Sequence, residues 1–167
     1  MQINAKLIAV TLLATCAAVA QAATVSRSTK PATVGSKSGK LCKLAIVGND
    51  MLQYDKKELA ITSDCRSVEL TLSYAGHMPV QAMGHNWVLT KGADAQAIAN
   101  AGIAAGFNNN HLPPGDKRVI AATKLIGGGQ STSVTFQTQG LLKGGDYTYF
   151  CSFPGHIAAM RGKFIVR

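Results

Sequence analysis

From Leu41 onward the chain is a succession of short apolar runs, each closed by a turn signal, and this limits its fold more than any other feature. Ser67-Val-Glu-Leu-Thr-Leu-Ser73 alternates apolar and polar residues, the period of a strand with one buried face. Lys43-Leu-Ala-Ile-Val47, a stretch around Leu52 to Ile61, and Asn86-Trp-Val-Leu-Thr90 are further strand candidates. Val119-Ile-Ala-Ala-Thr123 follows the turn Pro113-Pro-Gly-Asp116, and Ser133-Val-Thr-Phe-Gln137 follows Gly127-Gly-Gly129. Tyr147-Thr-Tyr-Phe-Cys151 and Lys163-Phe-Ile-Val166 complete the set. Short strands at this spacing predict an all-β sandwich or Greek-key barrel. An apolar content of 47% can fill its core, while 15% charged residues and 17 glycines suit strands and tight turns more than long helices. Only Asp94 to Ala105 departs: its alanines predict a short helical flap, with Asp94 near its start and Gly102 and Gly106 weakening and ending it.

The first residues resemble an export signal. Lys6 is the only charge before Arg27, Leu7 to Ala20 is apolar, and Ala20-Gln-Ala22 offers a small-x-small cleavage pattern. The run is shorter than the ~20 apolar residues of a spanning helix. Cleavage after Ala22 is expected. A lipobox at Leu13-Ala-Thr-Cys16 is the competing reading, although Thr15 fits it poorly. Export permits disulfides. With Cys16 removed, Cys42, Cys65 and Cys151 remain. Cys42 and Cys65 flank the first strand-like runs and form the natural pair, which leaves Cys151 as a free thiol to explain. Residues 23–40 are rich in Ser, Thr, Lys, Gly and Pro, and read as a flexible linker. Four of the 17 basic residues sit on it without an acid, so the formal +9 is partly a tail property. The remaining body, 41–167, carries 12 basic and 8 acidic residues without interleaved aromatics, which disfavours nucleic-acid binding.

The segment Cys151-Ser-Phe-Pro-Gly-His156-Ile-Ala-Ala-Met160 carries the chemistry. A flat strand sends alternate side chains to opposite faces and cannot wrap three ligands around one ion. A Pro154-Gly155 turn between two strand ends can. Thiolate and thioether are soft ligands and imidazole is borderline, a set that selects copper. Zinc competes for Cys and His but gains little from a thioether. Two His and one Cys with a weak, long Met contact describe an electron-transfer copper site. His77, His85 and His111 are the other histidines. His85 is the best second ligand, because it follows Gly84 and opens the Asn86–Leu89 run. His77 and His111 are expected in solvated loops.

Gly84-His-Asn-Trp-Val-Leu89 and Cys151-Ser-Phe-Pro-Gly-His-Ile-Ala-Ala-Met160 resemble the two copper-binding segments of the azurins. Four residues between Cys and His, then three between His and Met, are similar to azurin and unlike the shorter loops of plastocyanin and amicyanin. Gly48-Asn49-Asp50, Val119 to Gly127, Cys42 and Cys65 also fit, so the resemblance spans Leu41 to Arg167. It implies a Greek-key cupredoxin sandwich with one type 1 copper. His85, Cys151 and His156 would be strong ligands, Met160 a weak axial one, and the Gly84 carbonyl a weaker one opposite. Asn86 would brace the ligand loop. Leu52, Met78, Ala82, Met83, Phe153, Pro154 and Ala158 would form an apolar patch around the electron port. Tyr74 stands where many azurins carry a buried histidine, Ala122 replaces a surface histidine, and Ile157 replaces a small polar residue.

The implied function is a periplasmic carrier that shuttles single electrons between redox proteins, such as c-type cytochromes or periplasmic reductases and dehydrogenases. The ligands would fill the metal, whereas a catalytic metal keeps a position open, so no turnover is expected. A copper store or chaperone is the alternative, although only one methionine lies in the ligand loop. A copper enzyme would need further histidines than His77 and His111.

Overall fold

β4 (Cys65–Ala75) realises the alternation most fully: Val68, Leu70, Leu72 and Tyr74 are buried, while the residues between them are less so. The computed structural model describes residues 39–167. The predicted signal segment and most of the linker therefore lie outside the described residues. The linker's last residue, Lys40, opens β1 (Lys40–Asn49) and binds Asp64 at 3.1 Å.

Two sheets face each other. One orders β2 (Gln53–Tyr54), β1, β4 and β7 (Ser131–Gln137). The other orders β3 (Glu58–Ile61), β9 (Arg161–Val166), β8 (Tyr147–Phe150), β5 (Val88–Lys91) and β6 (Ala121–Ala122). β1 runs parallel to β4 and β3 parallel to β9, while β8 is antiparallel to both β5 and β9. This is the predicted all-β sandwich. Its core centres on Trp87, which is fully buried and stacks on Phe136 and Tyr149 at 6.0 Å, one from each sheet.

The stretch around Leu52 to Ile61 is two strands in different sheets. Leu52 takes a left-handed φ of 58°, and Asp55 ties itself to Val47 through both its amide and its carboxylate. The chain therefore leaves the first sheet at Tyr54 and joins the second at Glu58. Other boundaries shift too: β5 starts at Val88, β6 keeps only Ala121–Ala122, and Cys151 falls just beyond β8.

α1 (Val80–Met83) is a single turn, and α2 (Ala95–Ala105) is the predicted flap. Asp94 precedes α2 but makes no side-chain cap bond. Gly102 is buried against the backbone of His111, so a Cβ there has no room, and Gly106 ends the helix at φ 74°. Cys42 and Cys65 are joined, with Cα atoms 5.8 Å apart. A loop of this length contributes about 3 kcal/mol by restricting the unfolded chain.

Candidate metal centre

β8 and β9 form a hairpin, and the loop between them is Cys151 to Met160. Val88 pairs with Phe150, so the residues before β5 and after β8 emerge at the same end of the sheet. That register brings His85 to Cys151 across 66 residues of sequence. His85 is fixed by a two-bond bridge to Ile126, its amide donating at 3.0 Å and its carbonyl accepting at 2.9 Å.

The loop is tied to itself. The Cys151 amide donates to the Met160 carbonyl at 3.0 Å, the Met160 amide to His156 at 2.8 Å, and the His156 amide to Phe153 at 3.0 Å. Gly155 supplies the positive φ, 83°, that the turn needs. Asn86 locks this loop to the His85 arm. Its Oδ1 accepts from the Ser152 amide at 2.9 Å, and its Nδ2 donates to Ser152 Oγ at 2.8 Å and to the Asn110 carbonyl at 3.0 Å.

The ligand-type atoms of His85, Cys151 and His156 lie within 4.8 Å of one another, and all three residues are buried. Cys151 Sγ is 3.5 Å from His156 Nδ1 and 3.8 Å from the Gly84 carbonyl oxygen. Met160 is fully buried, and its methyl carbon and the His85 ring both lie beside Gly48. Three predicted ligands are thus brought together, with Met160 and the Gly84 carbonyl beside them.

The contacts of His85 fit a ring that binds a cation. Its Nε2 faces the Asn49 carbonyl at 2.9 Å and its Nδ1 the Gly84 carbonyl at 3.1 Å. A neutral imidazole has one proton, so it can donate to only one of these acceptors. Asn49 is the shorter, so Nε2 is the donor and Nδ1 keeps a bare lone pair beside the Gly84 carbonyl. A metal ion at that point relieves the conflict. The donor set, one thiol and two imidazoles with a thioether near, suits copper.

Burial sets the protonation of the three groups. It pushes the Cys151 thiol up to about 12, against amide donors that favour the thiolate. It brings His156 down to about 4, helped by the nearby His85 and His111. It also lowers His85, opposed by the Asn49 and Gly84 carbonyls. Near neutral pH both imidazoles therefore present lone pairs, and metal binding must expel the thiol proton.

Copper binding proteins of the plastocyanin/azurin family match residues 40–167. The chain belongs to this family. It is 51% identical over 121 residues to the azurin of Bordetella pertussis, covering 72% of this chain and 81% of that protein. To the azurin of Pseudomonas fluorescens biotype C it is 46% identical, covering 72% and 94%. The azurin Az-iso2 of Methylomonas sp. strain J superposes with a TM-score of 0.73 at 44% identity, covering 75% of this chain and 98% of that one. Copper is therefore the cofactor of this azurin-like chain, and electron transfer, not catalysis, is its function.

Two residues near the centre escaped the sequence reading. Asn110, left-handed at φ 53°, offers its carbonyl to both Asn86 Nδ2 and Ser152 Oγ, and its Oδ1 to the Leu125 amide. A run of three asparagines reads only as a loop, so nothing local marked it. His111 was expected in solvent but is buried, packed edge-on to Phe153 at 5.2 Å, with its Nδ1 unpartnered. Gly102 closes the flap onto it, which the sequence pattern could not show. His77 is exposed, as expected. Of the apolar patch residues, Leu52, Met83 and Phe153 are half-buried, and Met78, Ala82, Pro154 and Ala158 are exposed.

Proposed function

We propose that this protein holds one type 1 copper on His85, Cys151 and His156, and passes single electrons through the surface edge of His156. Met160 would supply a weak thioether contact and the Gly84 carbonyl a weaker oxygen contact. The observation that carries this reading is the convergence of two imidazoles and one thiol within 4.8 Å in a buried pocket. When bound, the metal supplies a one-electron Cu(I)/Cu(II) couple. The chain's own part is to hold the donors still. Asn86 and Asn110 fix the Cys151 end, Asn49 fixes the His85 ring, and the amide bonds within the loop fix Met160. Donors that do not move keep the reorganisation on electron transfer small.

His156 is 5% exposed and His85 not at all, so the loop histidine is the path to the surface. Leu52, Met78, Ala82, Met83, Phe153, Pro154 and Ala158 form the apolar patch on which partners dock briefly. Those partners are c-type cytochromes or periplasmic reductases and dehydrogenases. Residues 1–22 direct export to the periplasm, 23–39 act as a linker, and the copper domain runs from Lys40, which opens β1, to residue 167. No helix among the described residues is long and apolar enough to cross a membrane.

The test is an absorption and EPR spectrum after adding Cu(II). An intense thiolate-to-copper band with small hyperfine splitting is expected, and its loss in Cys151→Ser. A colourless wild-type protein overturns the reading. Ready copper handover with slow electron self-exchange points instead to a store or chaperone.

A further inference from the structure

We propose that a basic groove beside the ligand loop docks an acidic protein partner and steers that partner's redox centre toward His156. This rests on the electron-carrier reading above. A cavity of about 420 Å³ lies between the outer face of β8 and β9 and the start of α2. Lys57, Arg161 and Lys163 line it, and none of its lining residues is acidic. All three cations are exposed.

Strand alternation puts them there. Phe164 and Val166 of β9 point into the core, so Arg161 and Lys163 point outward. Ion pairs among the described residues use Lys40, Lys43, Lys56, Arg118 and Arg167, and leave the three groove cations without one. Glu58 is the register partner of Lys163 on the same face, but its carboxylate is 2.6 Å from Arg167. Asp55 is taken by Lys56.

The groove is continuous with the copper end. Ile157, which follows His156, lines it. Arg161 follows Met160. Lys57 Nζ donates to the Ala159 carbonyl, inside the ligand loop, at 3.1 Å. The loop from Cys151 to Met160 holds no acid. Apolar contact at the port is not directional, whereas three like charges on one side of it set an orientation. Exposed cations do not build a desolvated cage for a small ion, but their summed field acts over roughly 10 Å and guides a carboxylate-rich surface. The partner this fits is a redox protein whose cofactor edge is rimmed by aspartates and glutamates.

The experiment uses copper-loaded, reduced protein mixed with an oxidised c-type cytochrome whose haem edge is ringed by carboxylates. Lys57→Gln/Arg161→Gln/Lys163→Gln is compared with Arg66→Gln/Lys117→Gln/Lys143→Gln, which removes equal charge elsewhere. Both variants must keep the blue band. The groove variant is expected to slow electron transfer about tenfold at low ionic strength, and the other variant by less than about threefold. The difference should vanish near about 1 M salt. Equal slowing in both variants, or none in either, overturns the proposal. So does loss of co-sedimentation with phosphatidylglycerol vesicles while the cytochrome rate is unchanged, which assigns the groove to a membrane. A wild type without the blue band, or without electron exchange at any salt, sinks the electron-carrier reading instead.

Discussion

The two histidines of the centre sit in unlike surroundings. His85 is fully buried, bridged to Ile126 through its backbone, held by Asn49 through Nε2, and covered by the Tyr74 ring at 4.1 Å. His156 is held by its loop, touches Cys151 through Nδ1, and packs on Phe153 at 4.6 Å. Its Nε2 makes no hydrogen bond among the described residues. The difference teaches a division of labour within one site: the first histidine anchors the metal to the sandwich, and the second connects it to the outside.

The comparison breaks most sharply if the two are equivalent for stability. In the metal-free protein, His85→Ala opens a buried cavity and strands the Asn49 carbonyl, at a cost of about 2–4 kcal/mol. His156→Ala also loses buried packing but strands no backbone acceptor, so it should cost less, about 1–2 kcal/mol. Urea unfolding of both variants checks this, and equal losses refute the division. Both variants should lose the blue band.

Asn86→Ala tests the link between the two regions. It removes three hydrogen bonds and leaves Ser152 and Asn110 groups buried, so a loss of about 1–3 kcal/mol is expected, together with a shifted EPR spectrum. An unchanged spectrum would mean that the loop holds itself. Gly48→Ala presses mainly on the His85 side. Its new Cβ would lie 2.9 Å from His85 Cδ2 and 3.3 Å from the Met160 methyl, for a cost of about 1–2 kcal/mol and a moved absorption band.

The smallest effect lies behind His85. Tyr74 donates to Asp50 at 2.6 Å, and this bond, with the His77 amide, holds the Asp50 carboxyl below its ordinary 3.8. A value lowered in the folded state adds stability above pH 3.8 and loses it as pH falls through the lowered value. Tyr74→Phe should bring Asp50 back toward 3.8 in an NMR titration of its carboxyl carbon and leave the blue band in place. A carboxyl that does not move would show that the His77 amide alone sets it.

Local pattern carried much of this protein. The Ser67–Ser73 alternation is read from residues that are neighbours in the chain, and β4 follows it because one face must leave water. The Cys151–Met160 spacing is equally local, since one turn brings all three side chains together. Cys42 and Cys65 flank the first strand-like runs, and pairing them leaves Cys151 free. Only the tertiary structure could divide Leu52 to Ile61 between two sheets, because periodicity does not say which neighbour a strand will choose. It alone could bury His111, whose cover is Gly102 of the flap, and give Asn110 its place between Asn86 and Ser152. The same holds for His85. Its spacing to Cys151 is arbitrary in sequence, and it meets the sulfur because Val88 pairs with Phe150. Ligand chemistry is a property of residue types, which the sequence states outright, whereas distance between remote side chains is set by strand register and packing, which exist only once the chain has folded.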